Sequence, residues 1–226
     1  MAGQMVEFSS NGGTANGYLS TPASGNGPGI IVIQEWWGLV PHIKTVAERF
    51  AAEGFVALAP DLYHGKLAKS PDEAGKLMMA MRIDEAEKDI RGAGQFLLDH
   101  DSTNGDKVGT VGFCMGGALS LYAATKNPKV GACVIFYGGH PNVKPDLPNL
   151  QAPVLGLYAG KDTFVTPESV RELDRKLKEL GKTAEIIIIP DVDHGFFNDT
   201  RPEVYNEATA KDAWERVVTF FRKHLG

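Results

Sequence analysis

Six short apolar runs rich in β-branched residues punctuate the chain: GIIVIQ, FVALAP, KVGTVGF, VGACVIFYG, PVLGLYAG and AEIIIIP. Segments with helical spacing separate them, among them PHIKTVAERFAAEG, the long stretch from Ser70 to His100, MGGALSLYAATK, Pro167 to Gly181, and a last one near Glu203 to His224. Near-continuous apolar strands that alternate with helices cannot leave either strand face in water. They predict an α/β fold with an open, mostly parallel sheet and helices on both faces. The exception is VEFSSNGGTANGYLS, which reads as a hairpin around a glycine-rich turn. Two helix starts carry their own chemistry: Ser70-Pro71-Asp72-Glu73 and Thr166-Pro167-Glu168 each offer an N-cap, a proline at the first helical position and early acids. At 226 residues with no repeat or low-complexity linker, one domain over residues 1–226 is the simplest organisation.

Composition narrows the partners. A hydrophobic fraction of 43% is enough for a sizeable core, and the net charge of −5 is spread without a basic stripe. Nucleic-acid binding, which needs clustered Lys and Arg against phosphates, is therefore not expected. The start, MAGQMVEFSSNGG, lacks a basic region followed by an apolar run, and no stretch reaches membrane-spanning length. A cytoplasmic protein without membrane association is expected, as a monomer or small homo-oligomer. The two cysteines, Cys114 and Cys133, are too few for a disulfide framework, and no CxxC or Cys/His ligand spacing occurs. Neither a metal nor a cofactor is expected, and Cys133, inside VGACVIFYG, reads as a small buried hydrophobe.

Cys114 is different. It lies in TVGFCMGGALS, between an apolar run and a helical segment, in the pattern G-x-C-x-G. With serine in place of cysteine this is the strand-turn-helix nucleophile elbow of α/β-hydrolases, in which glycines permit a strained backbone and close packing. A helix N-terminus at the thiol also favours thiolate, the attacking form. Two later segments supply partners in the order such folds use: Asp162, after PVLGLYAG, and His194, in DVDHGF after AEIIIIP. Asp191 and Asp193 compete for the acid role, but as sequence neighbours of the histidine they would have to fold back toward it. The chemistry implied is acyl transfer, with Cys114 as nucleophile, His194 as proton shuttle and Asp162 orienting the imidazole. The backbone N–H of Met115, and that of Trp36 in the loop Gln34-Glu35-Trp36-Trp37-Gly38, are the expected oxyanion donors. Trp37 either walls a pocket or packs in the core.

Taken together, GFCMGG, AGKD, DHGF and QEWWG resemble the dienelactone hydrolase family of carboxymethylenebutenolidase-like α/β-hydrolases, over almost the whole chain. The resemblance implies a cofactor-free hydrolase of small carboxylic esters or lactones. It also implies that Glu35, in the matching QE-x-x-G motif, lies beside the thiol and takes part in controlling its ionisation. Members that open dienelactones hold the substrate carboxylate with arginines, one shortly after the catalytic histidine and one near the start of the long middle helix. Here those neighbourhoods read HGFFND, with Phe197 and Asn198, and Ser-Pro-Asp-Glu-Ala-Gly. An amide cannot form the bidentate, charged grip of a guanidinium. Neutral small esters are therefore expected in preference to a dienelactone, with Arg82 and Arg201 as candidates to replace the lost charge. A ligand-binding or sensor protein that keeps the fold and pocket without turnover is the alternative.

Overall fold

The computed structural model describes residues 3–226. The chain opens with a hairpin of β1 (Gln4–Ser10) and β2 (Gly13–Ser20). Its turn residues Asn11 and Gly12 both take positive φ, 51° and 76°, the backbone that a tight two-residue turn between twisted strands demands. The alternation that follows is β3 (Gly27–Ile33), α1 (Pro41–Ala52), β4 (Val56–Pro60), α2 (Pro71–Ala80), α3 (Ile83–Asp99), β5 (Thr103–Phe113), α4 (Met115–Lys126) and β6 (Val130–Phe136). It continues through β7 (Val154–Ala159), α5 (Pro167–Glu179), β8 (Ala184–Ile189) and α6 (Glu207–Leu225). The eight strands form one sheet in the order β1-β2-β4-β3-β5-β6-β7-β8. β2 runs antiparallel to β1 and β4, and the remaining pairings are parallel.

The caps are those the sequence offers. Ser70 Oγ accepts from Glu73 N–H at the start of α2, and Thr166 Oγ1 accepts from Ser169 N–H at the start of α5. The segment Ser70 to His100 is two helices. Met81 and Arg82 adopt extended backbone between them, and Arg82 then pairs with Asp84 and Glu85 in the first turn of α3. Helices cover both faces: Phe50 of α1 meets Phe221 of α6 at 5.9 Å on one, while residues of α4 and α5 share a cluster on the other. Coverage fails at one edge, where Ile186, Ile187, Ile188 and Ile189 of β8 are only half-buried. The Pro- and Asn-rich connection after β6 contains a single 3-10 turn, Leu147–Asn149, and is tied to α2 by a 3.2 Å contact of His140 Nε2 with the Met78 carbonyl.

After β3 the chain builds β4 to one side and β5 to the other, so the direction of winding reverses between β3 and β5. That switch point leaves a crevice at the carboxyl ends of the two strands. The crevice is narrow because α4 enters close against it. A methyl group at Gly112 would collide with the Gly116 carbonyl, and one at Gly116 with the carbonyls of Ile33 and Gln34. Backbone cannot yield as a side-chain tip can. Gly112→Ala should therefore lower stability by about 3 kcal/mol or more, measured from urea unfolding midpoints. An unchanged midpoint would contradict this account of the turn.

Candidate active site

The carboxyl ends of four strands deliver side chains to one cavity. Glu35, Trp36 and Trp37 follow β3, Cys114 follows β5, Asp162 follows β7 and His194 follows β8, with Tyr137, after β6, buried behind them. Cys114 stands between strand and helix with φ 54° and ψ −120°, a conformation costly for a residue with a Cβ. Its N–H donates to the Phe136 carbonyl (3.0 Å), and its carbonyl accepts from Gly117 (3.0 Å) and Gly139 (3.2 Å), so neighbours on both sides hold the turn. Cys114 is 7% exposed, at the head of α4.

His194 Nδ1 lies 2.6 Å from Asp162 Oδ2. The carboxylate is aimed by its other oxygen, which accepts from the N–H groups of Phe164 and Val165, each at 2.8 Å. Neither rival acid makes that contact: Asp191 points to Lys161 at 3.4 Å, and Asp193 lines the cavity without pairing with the imidazole. Burial alone disfavours the imidazolium, yet the hydrogen bond and charge of Asp162 beside it raise the His194 pKa to about 10. With Nδ1 committed to Asp162, Nε2 is the nitrogen left for proton exchange. Met115, the first residue of α4, has an N–H with no intrahelical acceptor. Trp36 borders the same space.

The cavity has a volume of about 360 Å³, with Cys114, Asp162 and His194 in its wall beside Glu35, Trp36, Trp37, Met78, Phe164 and Arg201. Among the described residues, no three His, Cys, Asp or Glu side chains are grouped as a metal site. The other candidates fall in different places. Arg82 lies outside this cavity, ion-paired with Asp84 and Glu85 where the break between α2 and α3 turns it away. Phe197 is 1% exposed and stacks on Phe113 (5.3 Å) and Trp214 (6.2 Å), so it belongs to the aromatic core. Asn198 is also buried and donates from Nδ2 to Glu35 Oε2 at 2.7 Å. Arg201 is in the wall, its Nε held by Glu203 at 2.8 Å.

Cys133 sits within β6, where burial pushes its thiol up to about 11 and Ser120 Oγ lies 3.4 Å away. It is fully buried and does not line the cavity. Tyr137 is a residue that sequence reasoning missed. It has φ 39°, its ring centroid lies 4.9 Å from that of His194, and its hydroxyl is 3.5 Å from Glu35 Oε1. The available signal was a tyrosine before two glycines at the carboxyl end of a strand, in VIFYGG.

Comparison with known proteins agrees with this architecture. A family model described as "Dienelactone hydrolase family" matches residues 15–225. "Protein usf" of Aquifex pyrophilus is 44% identical over 230 residues, and "Putative carboxymethylenebutenolidase" of Aquifex aeolicus (strain VF5) is 39% identical over 230 residues. Each alignment covers 99% of both chains. The crystal structure of "Putative Dienelactone Hydrolase from Klebsiella pneumoniae subsp. pneumoniae MGH 78578" superposes with a TM-score of 0.87 at 30% identity, covering 98% of this chain and 99% of that one.

The electrostatics of the imidazole yield a direct expectation. Asp162→Asn keeps the size of the side chain and removes its charge, so the His194 pKa, raised to about 10 beside that carboxylate, should move down by about one unit or more. Imidazole NMR shifts followed against pH would measure it. An unmoved midpoint would contradict the assigned role of Asp162.

Proposed function

This chain belongs to the dienelactone hydrolase family, and from that membership and the cavity we propose that it hydrolyses small carboxylic esters or lactones through a Cys114-His194-Asp162 triad and an acyl-enzyme. The observation that carries the reading is the 2.6 Å contact of His194 Nδ1 with Asp162 in a cavity whose wall also holds an elbow cysteine.

The Cys114 thiolate attacks the ester carbonyl carbon, forming a C–S bond and moving a π pair onto the carbonyl oxygen. The N–H groups of Met115 and Trp36 stabilise that oxyanion, and their value lies in being fixed before the charge appears. As the carbonyl re-forms, the C–O bond to the alcohol breaks and His194 Nε2 gives it a proton. Water then attacks the thioester while His194 takes one of its protons. Collapse of the second intermediate expels the thiolate and releases the acid, restoring the imidazolium and thiolate. Asp162 keeps the imidazole in one tautomer and orientation throughout.

A cavity of about 360 Å³ with Trp36, Trp37, Met78 and Phe164 in its walls suits a small, largely apolar acyl or alcohol group. Arg201 shares the wall, but its pairing with Glu203 already commits part of its guanidinium. A neutral ester needs no anion grip, so neutral esters are the preferred class.

The test is a panel of p-nitrophenyl esters, simple lactones and a cis-dienelactone, run with native protein and Cys114→Ala. Short neutral esters should be cleaved faster than the dienelactone, and the variant should lose about 1,000-fold or more in kcat/KM while keeping the native fold. Unchanged hydrolysis in Cys114→Ala would sink the reading. Saturable ligand binding with no product from any ester would point to a binding protein on the same fold.

A further inference from the structure

We propose that Asn198 is a positioning residue that fixes the Glu35 carboxylate in the cavity wall beside Cys114, with Thr200 holding the amide in its donating orientation. The inference deepens the hydrolase reading and rests on Cys114 as nucleophile.

The orientation of the amide follows from its partners. Asn198 Oδ1 lies 3.0 Å from the Thr200 backbone N and 2.6 Å from Thr200 Oγ1. A backbone N–H can only donate, so the atom facing it is the oxygen, and the amide nitrogen must face Glu35 Oε2 at 2.7 Å. Glu35 is 2% exposed, and a buried carboxylate requires donors. Its second oxygen has the Tyr137 hydroxyl at 3.5 Å, longer than a good hydrogen bond. Among the described residues Asn198 is therefore the one short side-chain donor on this carboxylate, and it ties Oε2 while Oε1 has only the long contact to Tyr137. Glu35 and Cys114 line the same cavity, and the Tyr137 ring packs against His194 with its centroid 4.9 Å away.

The other ionisable groups around the pair come from several elements. Tyr137 follows β6, Cys114 heads α4, and Lys161 and Asp162 follow β7. His194, Asp193 and Arg201 lie on the segment after β8, while the adjacent Asp199 turns away to His42 of α1 at 3.0 Å.

Asn198 also braces its own turn through Oδ1, so a variant must separate bracing from positioning. Asn198→Asp does so: it keeps an acceptor for both Thr200 donors and replaces the donor to Glu35 by a second acceptor. Two adjacent carboxylates then compete for one proton, and as pH falls that shared proton restores a donor between them.

At about pH 8, Asn198→Asp should lower kcat about 30-fold with KM changed less than about threefold, and its kcat relative to native protein should recover at least about threefold by about pH 5.5. Asn198→Ala, which removes donor and acceptor together, should show a ratio that does not vary with pH. Thr200→Val, at an exposed position, should have a smaller effect because the backbone donor remains. An Asn198→Asp ratio flat with pH, or a kcat equal to native in a variant of native thermal stability, would overturn the proposal. Cys114→Ala in the same assay reports separately on the nucleophile. If that control retains full activity, the rate of Cys114 alkylation by iodoacetamide replaces turnover as the readout. The same pH-dependent ratio of Asn198→Asp to native is expected there, and a flat ratio would overturn the proposal.

Discussion

Everything at the cavity depends on one strained residue held between a strand and a helix. Cys114 takes φ 54° and ψ −120° because β5 must end and α4 begin within a single turn. The contacts that enforce it are backbone contacts: glycines at 112 and 116 let the first turn of α4 lie against β5 and the loop leaving β3. That closeness puts the thiol at a helix N-terminus and in the wall of the cavity. Strain of roughly 1–3 kcal/mol at such a residue persists only where the surroundings over-determine it. Here three backbone hydrogen bonds to Phe136, Gly117 and Gly139 do so.

The charges around that turn form a graded set. Asp162 is buried and aimed at His194 by two backbone donors. His194 answers with a pKa raised to about 10, against the desolvation that burial imposes. Glu35 is a second buried carboxylate, with an amide as its short partner instead of a cation. In the proposed mechanism the imidazolium balances the thiolate, and Glu35 lines the same cavity.

Much of the fold was legible because it rests on local rules. Asn11-Gly12 specified the hairpin turn, the apolar runs specified a mostly parallel sheet, and GFCMGG specified the strand-turn-helix geometry at Cys114. The break at Met81–Arg82 was not legible, since neither residue is a glycine or proline and the pairing of Arg82 with Asp84 and Glu85 follows from the break. Within the site, the chain order of Cys114, Asp162 and His194 can be read, because each follows a strand. Which side chains of the loops turn inward cannot. Phe197 and Asn198 are consecutive, yet one enters the aromatic core and the other reaches Glu35, a residue 163 positions away in sequence. Tyr137 was hidden for the same reason: its role depends on φ 39° at the end of β6, which no periodicity reports.

The most direct measurement of the central claim is mass spectrometry of the protein quenched in acid during turnover of p-nitrophenyl acetate. The account predicts one acetyl group as a thioester on the peptide that carries Cys114. An unmodified Cys114 peptide under conditions of rapid product release, with the acyl group absent or on another residue, would contradict it.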